Sequence, residues 1–438
     1  MTLPIWKTAE PDFEKNLAGL ARRRGIGQGL AAEGADSPQR RVEEIIEAVR
    51  ARGDAAVLEC TEKFDGYRLT PERMRVSPEE IEAALRQTPE ELLEALSLAA
   101  GRVRRFQEAI LLRDQRRVRQ DGRTVSLRYR PMDSAGLLAP GASASLASSV
   151  LMTVVPAVVA RVARIVMVTP PARDGSVSPD RLAAAHIAGA HEVYRVFGAQ
   201  AVAALAYGTQ TIRPVDFIAG PGNIYVELAK RAVFGQVGVD MIAGPSEVVV
   251  LADSTARPDW VAAELLAQAE HRDGSAILVT NDEALAAAAA QAAEDQLKGL
   301  PRAAEVRKCL KELGAVIVAG SLEECIEIAN RLASEHLVIV TDELEAVSKK
   351  IRHAGAIFLG PYTPVAVGDY VAGPSHCLPT GTTARFSSGL TANSFLKSAS
   401  IIRYSREALE ADARAIALIA EAEKLEAHAR SVGRRLGD

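Results

Sequence analysis

The apolar positions along this chain change period twice. Over residues 1–130 they recur at helical spacing inside highly charged segments, as in Val42-Glu43-Glu44-Ile45-Ile46-Glu47-Ala48-Val49-Arg50. Ser77-Pro78-Glu79-Glu80 sets a capping hydroxyl before a proline and two acids, which predicts a helix start. From residue 133 the texture becomes short continuous apolar runs alternating with alanine-rich stretches. Arg164-Ile165-Val166-Met167-Val168-Thr169 predicts a buried strand, and a helix follows at about 178–189. The short run Glu192-Val193-Tyr194-Arg195-Val196, a helix at 199–207 and a strand at Val215-Asp216-Phe217-Ile218-Ala219 complete the first series. The pattern restarts after residue 243, with strands predicted at 247–252, 275–280, 314–318, 337–340 and 355–359 and helices between them. The stretch at about 404–438 reads as a charged helix with little sheet to cover, suited to packing on a partner subunit.

Strands alternating with helices imply parallel β-α-β units. The expected fold is therefore α/β: two Rossmann-like doubly wound lobes, a helical N-terminal region and a C-terminal helical tail reaching a partner subunit. The boundaries drawn are 1–130 for the helical region, 131–243 and 244–385 for the lobes, and 386–438 for the tail. A length of 438 residues agrees with about three domains at ~150 residues each.

Composition narrows the partners. The chain is 48% hydrophobic and 25% charged, and 52 basic against 56 acidic side chains leave −4, so no cationic surface for nucleic acid or anionic lipid is expected. The most apolar stretch, Leu146 to Pro171, is interrupted by Pro156, Arg161 and Arg164 and reads as a helix plus a buried strand rather than a membrane span. Cys60, Cys309, Cys325 and Cys377 form no CxxC pair, and residues 1–7 lack the order of a secretory signal. A cytoplasmic location is expected.

Few residues suggest chemistry. Gly220-Pro221-Gly222-Asn223 lies between a strand and a helix, where backbone amides can approach a phosphate, although such turns are as often plain connections. Gln268 and His271 stand three apart, so on a helix they share one face and could ligate one metal ion, or simply be surface. Glu335-His336 could divide acid–base work or be a solvated pair. Gly368-Asp369-Tyr370 and Gly373-Pro374-Ser375-His376 fall in a polar, glycine-rich loop after a strand, with Asp369 a hard oxygen donor and His376 a donor to an anion. Cys377 has nothing beside it to make it a thiolate nucleophile. His428 stands alone in the last helix, and it reads, like His186, His191 and His353, as a surface or packing residue.

Gly220-Pro221-Gly222-Asn223, Asp240-Met241-Ile242-Ala243-Gly244-Pro245-Ser246-Glu247-Val248, Gln268-Ala269-Glu270-His271, Ser334-Glu335-His336-Leu337, Gly368-Asp369-Tyr370 and Leu378-Pro379-Thr380-Gly381 together resemble, in order and spacing, the motifs of histidinol dehydrogenases over roughly residues 40–430. The resemblance implies one Zn2+ per subunit held by Gln268, His271 and Asp369, with His428 coming from a neighbouring protomer of a homodimer. It implies Glu335 and His336 as the catalytic pair; Ser246, His376 and Glu423, with the zinc ligands and His336, at the small-molecule substrate; and Gln200 and Asn223 at NAD. The implied reaction is the four-electron oxidation of L-histidinol to L-histidine through bound histidinaldehyde, using two NAD+ in turn, a step of histidine biosynthesis. Zinc would fix the substrate's imidazole and amine, His336 would take the hydroxyl proton, and Glu335 would activate water.

The chain departs from the family pattern at four places. Leu138 stands for a tyrosine that contacts the cofactor, Ala142 for a glycine, Val365 for a glutamate and Ser375 for an asparagine. These changes raise the alternative of a paralogue oxidising another small polar alcohol such as sulfopropanediol. A zinc hydrolase is a further alternative, because the same ligands and Glu-His pair could activate water alone.

Overall fold

A computed structural model describes residues 3–24, 37–114, 117–141, 146–271 and 274–437. Ala142, one of the four departures, lies outside the described residues. The strands in chain order are β1 (Ile5–Lys7), β2 (Val118–Gln120), β3 (Arg123–Pro131), β4 (Ser134–Leu138), β5 (Arg164–Val168), β6 (Glu192–Tyr194), β7 (Phe217–Ala219), β8 (Gly238–Val239), β9 (Glu247–Ala252), β10 (Ser275–Thr280), β11 (Ala315–Val318), β12 (His336–Val340), β13 (Ala356–Leu359) and β14 (Leu396–Tyr404).

Two parallel sheets organise the molecule. One has the order β6-β5-β4-β7-β8 and the other β1-β11-β10-β9-β12-β13. In both, the chain adds strands outward from a central one and then returns to build the other way, so each sheet has a reversal point, between β4 and β7 and between β9 and β12. The continuous apolar runs seen in the sequence are these strands. All residues of β4, β9, β10 and β11 are buried, as helices on both faces require.

Several sequence expectations need correction. The N-terminal region is helical in Phe13–Arg24, Pro38–Arg52, Pro78–Gln87 and Glu90–Ile110, but it is not only helical. Its first segment forms β1, a parallel edge strand pairing with β11 through Ile5–Val316, Trp6–Ile317 and Lys7–Val318. Three residues with one polar neighbour give too short a pattern to stand out. The boundary at residue 130 runs through β3, which pairs antiparallel with β14 from Leu396–Pro131 to Tyr404–Arg123. Most of this ribbon is exposed, so burial never imposed the run of apolar residues that marked the other strands. The tail is two helices, Arg406–Ala422 and Glu426–Leu436, broken where Lys424 takes a positive φ of 61°. Arg123 grips Asp412 through two nitrogens and ties the first tail helix to β3.

Other expectations hold. The helix Pro78–Gln87 opens on a reciprocal capping box between Ser77 and Glu80. The stretch 146–171 divides into the helix Ala147–Val159 and β5. No helix among the described residues is long and apolar enough to cross a membrane.

The turn after β7 is backbone-determined. Gly220 has φ +116°, and a β-carbon there would lie 2.5 Å from the carbonyl oxygen of Leu138. Gly220→Ala should lower stability by about 2 kcal/mol, read as a fall in the urea midpoint at unchanged m-value; a midpoint equal to that of the unaltered protein would contradict this account.

Candidate active site

The two sheets present opposite ends to a shared cavity of about 220 Å³. From the first sheet come Pro140 and Gly220, just beyond the carboxyl ends of β4 and β7, at that sheet's reversal point. From the second come Ser246, Glu335 and His336, at the amino ends of β9 and β12. His271, Asp369, His376 and Cys377 complete the wall.

Glu335 and His336 are both buried, at 5% exposure each, so the solvated-pair reading of the sequence is excluded. The backbone of a single residue holds the two side chains. The Glu247 N–H donates to Glu335 Oε2 at 2.9 Å, and the Glu247 carbonyl lies 3.0 Å from His336 Nδ1. A carbonyl can only accept, so Nδ1 carries the proton and Nε2 is left as the acceptor. Burial, with help from the neighbouring His376 and His271, pushes the His336 pKa down to about 3 despite the bond to Glu247. The ring is therefore neutral at pH 7, a base ready to receive a proton. Burial raises Glu335 well above the usual carboxylate range, the Glu247 N–H opposes this, and the charges of Glu247 and Asp369 add to the rise. An acid and a base thus sit side by side, separated in protonation by their surroundings.

Asp369 does not lie in a loop. It is on the short helix Val365–Tyr370, whose entry is fixed by Pro364 and by the Val365 N–H donating to Glu264 Oε1 at 2.9 Å. Burial and then the Glu264 charge raise Asp369 to about 6. The Asp369 carbonyl accepts from His376 Nδ1 at 3.0 Å, and His376 Nε2 lies 3.2 Å from Ser149 Oγ. Burial lowers His376 to about 4. His271 also departs from expectation: the helix Pro258–Ala269 ends before it, so the pair with Gln268 spans the helix terminus instead of sharing a helical face. The Gln268 N–H2 group is buried with no hydrogen-bond partner among the described residues, and burial lowers the His271 pKa.

The Gln268 amide oxygen, a neutral imidazole and a carboxylate under electrostatic pressure are ligand types that suit a divalent cation. No three His, Cys, Asp or Glu side chains converge on a metal-sized point among the described residues, so a cage here needs Gln268 or a donor from outside the chain.

The remaining residues divide. Ser246 lines the cavity and hydrogen-bonds Glu335. Asn223 caps the helix Ile224–Val233 by accepting from the Tyr225 and Val226 N–H groups, and it is exposed. Gln200 is buried in the first turn of the helix Ala199–Tyr207 and is not on the cavity wall. Glu423 and His428 are exposed on the tail and do not line the cavity of the single chain. Cys377 is buried with its thiol pushed up to about 12, which keeps it protonated. Leu138 is buried in the apolar cluster of the first lobe, Val365 packs under the second sheet, and Ser375 Oγ donates to the Met152 carbonyl; none of the three lines the cavity.

Sequence reasoning missed Lys230, whose fully buried ammonium lines the same cavity. Its Nζ lies 2.7 Å from Asp240, 3.4 Å from Glu227 and 3.2 Å from the Gly220 carbonyl. Burial opposes its charge, but the two carboxylates outweigh it and the pKa stays raised. Glu227 in turn accepts from the Ala243 N–H at 2.9 Å. The cluster joins the glycine turn to the segment leading to Ser246. Both ends of that link stood in the quoted motifs, but the lysine read only as part of a helix.

The sheets and cavity define an α/β enzyme with its acid–base groups where two lobes meet. A family model for histidinol dehydrogenase matches residues 31–436. A histidinol dehydrogenase of Synechococcus sp. is 50% identical over 392 residues, covering 89% of this chain and 90% of that one. That of Geobacillus kaustophilus is 49% identical over 425 residues, covering 97% and 99%. The crystal structure of histidinol dehydrogenase from Elizabethkingia anophelis superposes with a TM-score of 0.92 at 35% identity, covering 99% of this chain and 98% of that one. The chain belongs to the histidinol dehydrogenase family, oxidoreductases of histidine biosynthesis.

The Asp369 carboxyl has a stability consequence. Its pKa is higher folded than unfolded, so its ionisation opposes folding as pH rises through about 4 to 6. Metal-free Asp369→Asn should be more stable than the unaltered protein by about 2 kcal/mol at pH 8, with the advantage gone below pH 4; urea unfolding in chelator at the two pH values measures it, and equal stability at pH 8 would refute it.

Proposed function

We propose that this chain oxidises L-histidinol to L-histidine through bound histidinaldehyde, delivering four electrons to two NAD+ in turn. The observation that carries this reading is the neutral His336, fixed through Nδ1 with Nε2 left to accept, beside the protonation-shifted Glu335 at the cavity wall. Family membership supplies the substrate class.

His336 Nε2 takes the hydroxyl proton as the carbinol C–H bond gives up its hydride. Glu335, in its ionised form, takes a proton from the water that attacks the aldehyde carbon. The second C–H bond is then broken and the carboxylate forms. Ser246 and His376 line the space in which the substrate is held. Gln268, His271 and Asp369, with His428 of the partner subunit, would hold Zn2+, which when bound supplies an anchor for the substrate's imidazole and amine. Glu423 enters the site on the same tail. Gln200 and Asn223 face the nicotinamide cofactor on this reading.

The proposal includes a homodimer of two Rossmann-like lobes per chain whose tails cross to the partner. Leu418 and Ile419 on the tail are 56% and 60% exposed, and Ile402 on β14 is 68% exposed, an apolar strip that suits a second copy of the chain. A cytoplasmic location accords with four free cysteines. Leu138, Val365 and Ser375 lie off the cavity wall, which favours histidinol over another alcohol such as sulfopropanediol.

Zinc-loaded protein given L-histidinol and NAD+ should form about two NADH per substrate; no absorbance change at 340 nm would end the proposal. His336→Asn should slow the first hydride step by roughly 10²–10⁴-fold, whereas Glu335→Gln should chiefly slow oxidation of supplied aldehyde. Equal losses of both variants in a single first turnover would contradict the division of roles.

A further inference from the structure

The helix Phe13–Arg24 ends beneath the acid–base pair without reaching the cavity. The Arg24 side chain is buried, and its Nη2 donates to Glu247 Oε2 at 2.9 Å and to the Leu332 carbonyl at 3.4 Å. These acceptors belong to the two segments that build the pair. Glu247 opens β9, and its backbone holds both Glu335 and His336. Leu332 ends the helix Leu322–Leu332, where carbonyls are unspent and the helix dipole is negative. Ala333 then turns the chain through a φ of 43°, the Ser334 hydroxyl donates to the His336 carbonyl, and Glu335 and His336 follow at once.

We propose that Arg24 is a positioning residue for the Glu335–His336 pair: it clamps the Glu247 carboxylate and the end of the preceding helix together, so that the Glu247 backbone stays aligned with both side chains. This rests on the reading of Glu335 and His336 as the acid–base pair. The physical basis is that Glu247 is 1% exposed and faces Arg24 as its ion-pair partner. Removing the guanidinium leaves a buried carboxylate without a counter-charge, which is costly, whereas neutralising both partners is far less so. The carboxyl then takes up a proton or moves toward water, and either change alters the contacts that hold its backbone in place. A misplacement of about 1 Å at a reacting group costs on the order of 10²-fold in rate.

The test uses full-length, zinc-loaded protein and three variants, Arg24→Met, Arg24→Lys and the double Arg24→Met/Glu247→Gln. Arg24→Met should lower kcat by about 10²-fold with KM for L-histidinol within about threefold. Arg24→Lys, which keeps the charge on a shorter side chain that places its nitrogen short of both acceptors, should lower kcat by roughly tenfold. The double variant should regain at least about tenfold over Arg24→Met, because no unpaired charge remains. Normal kcat in Arg24→Lys overturns the inference, as does a double variant that recovers its melting temperature but not its kcat. If the unaltered protein does not oxidise histidinol, that strikes the functional reading alone. The inference is then read from the His336 Nδ1–H resonance in 15N-labelled protein, which should move in Arg24→Met and return in the double variant; an unmoved resonance overturns it.

Discussion

The backbone of Glu247 is the constraint on which the site depends. Its N–H and carbonyl both meet the segment that opens β12, one at a carboxyl and the other at an imidazole. Adjacent residues at the start of a strand normally send their side chains to opposite faces. Glu335 immediately precedes β12 and His336 begins it, so the alternation is not yet established, and both can reach the neighbouring strand's terminus. Parallel pairing of β12 with β9, with His336 opposite Val248, sets the register that makes this possible. A slip by one residue would turn the imidazole away from its acceptor.

Around this contact the two sheets contribute differently. The first offers a glycine turn and a capped helix at strand carboxyl ends. The second offers side chains at strand amino ends, where burial can be severe. The Lys230 cluster lies on the first sheet's side of the cavity and ties the Gly220 carbonyl to Asp240 and Glu227. A buried ion cluster is poor evidence for stability, but it fixes geometry, because a lysine removed from water has few alternative partners. The glycine turn is thus held to the segment leading to Ser246 by charge, while each sheet is held by apolar packing.

The sequence shows much of this and hides the rest for identifiable reasons. Strands from Arg164 to Leu359 are visible because burial on both faces demands unbroken apolar runs. The Ser77 cap and the helix 199–207 carry local signals that tertiary structure leaves intact. β1 is too short to show a period, and the β3–β14 ribbon lacks a buried face to enforce one. The residue types of the site are legible through the family's motifs, yet their electrostatics are not. Nothing in Ser334-Glu335-His336-Leu337 indicates that the pair is buried, since burial depends on residues as distant as Arg24 and Glu247. His271 shows a further limit: spacing suggests a shared helical face, but the helix ends two residues earlier.

Cys377 adds a chemical consequence. The residue lines the cavity, yet it remains a thiol because burial and then Asp240 resist ionisation and Lys230 only partly offsets them. On the reaction proposed above, a thiolate there would capture the aldehyde as a thiohemiacetal and compete with water for the same carbon. Proton retention on sulfur therefore leaves the electrophile to oxygen, and it also shields the centre from peroxide and alkylating reagents that attack anionic sulfur.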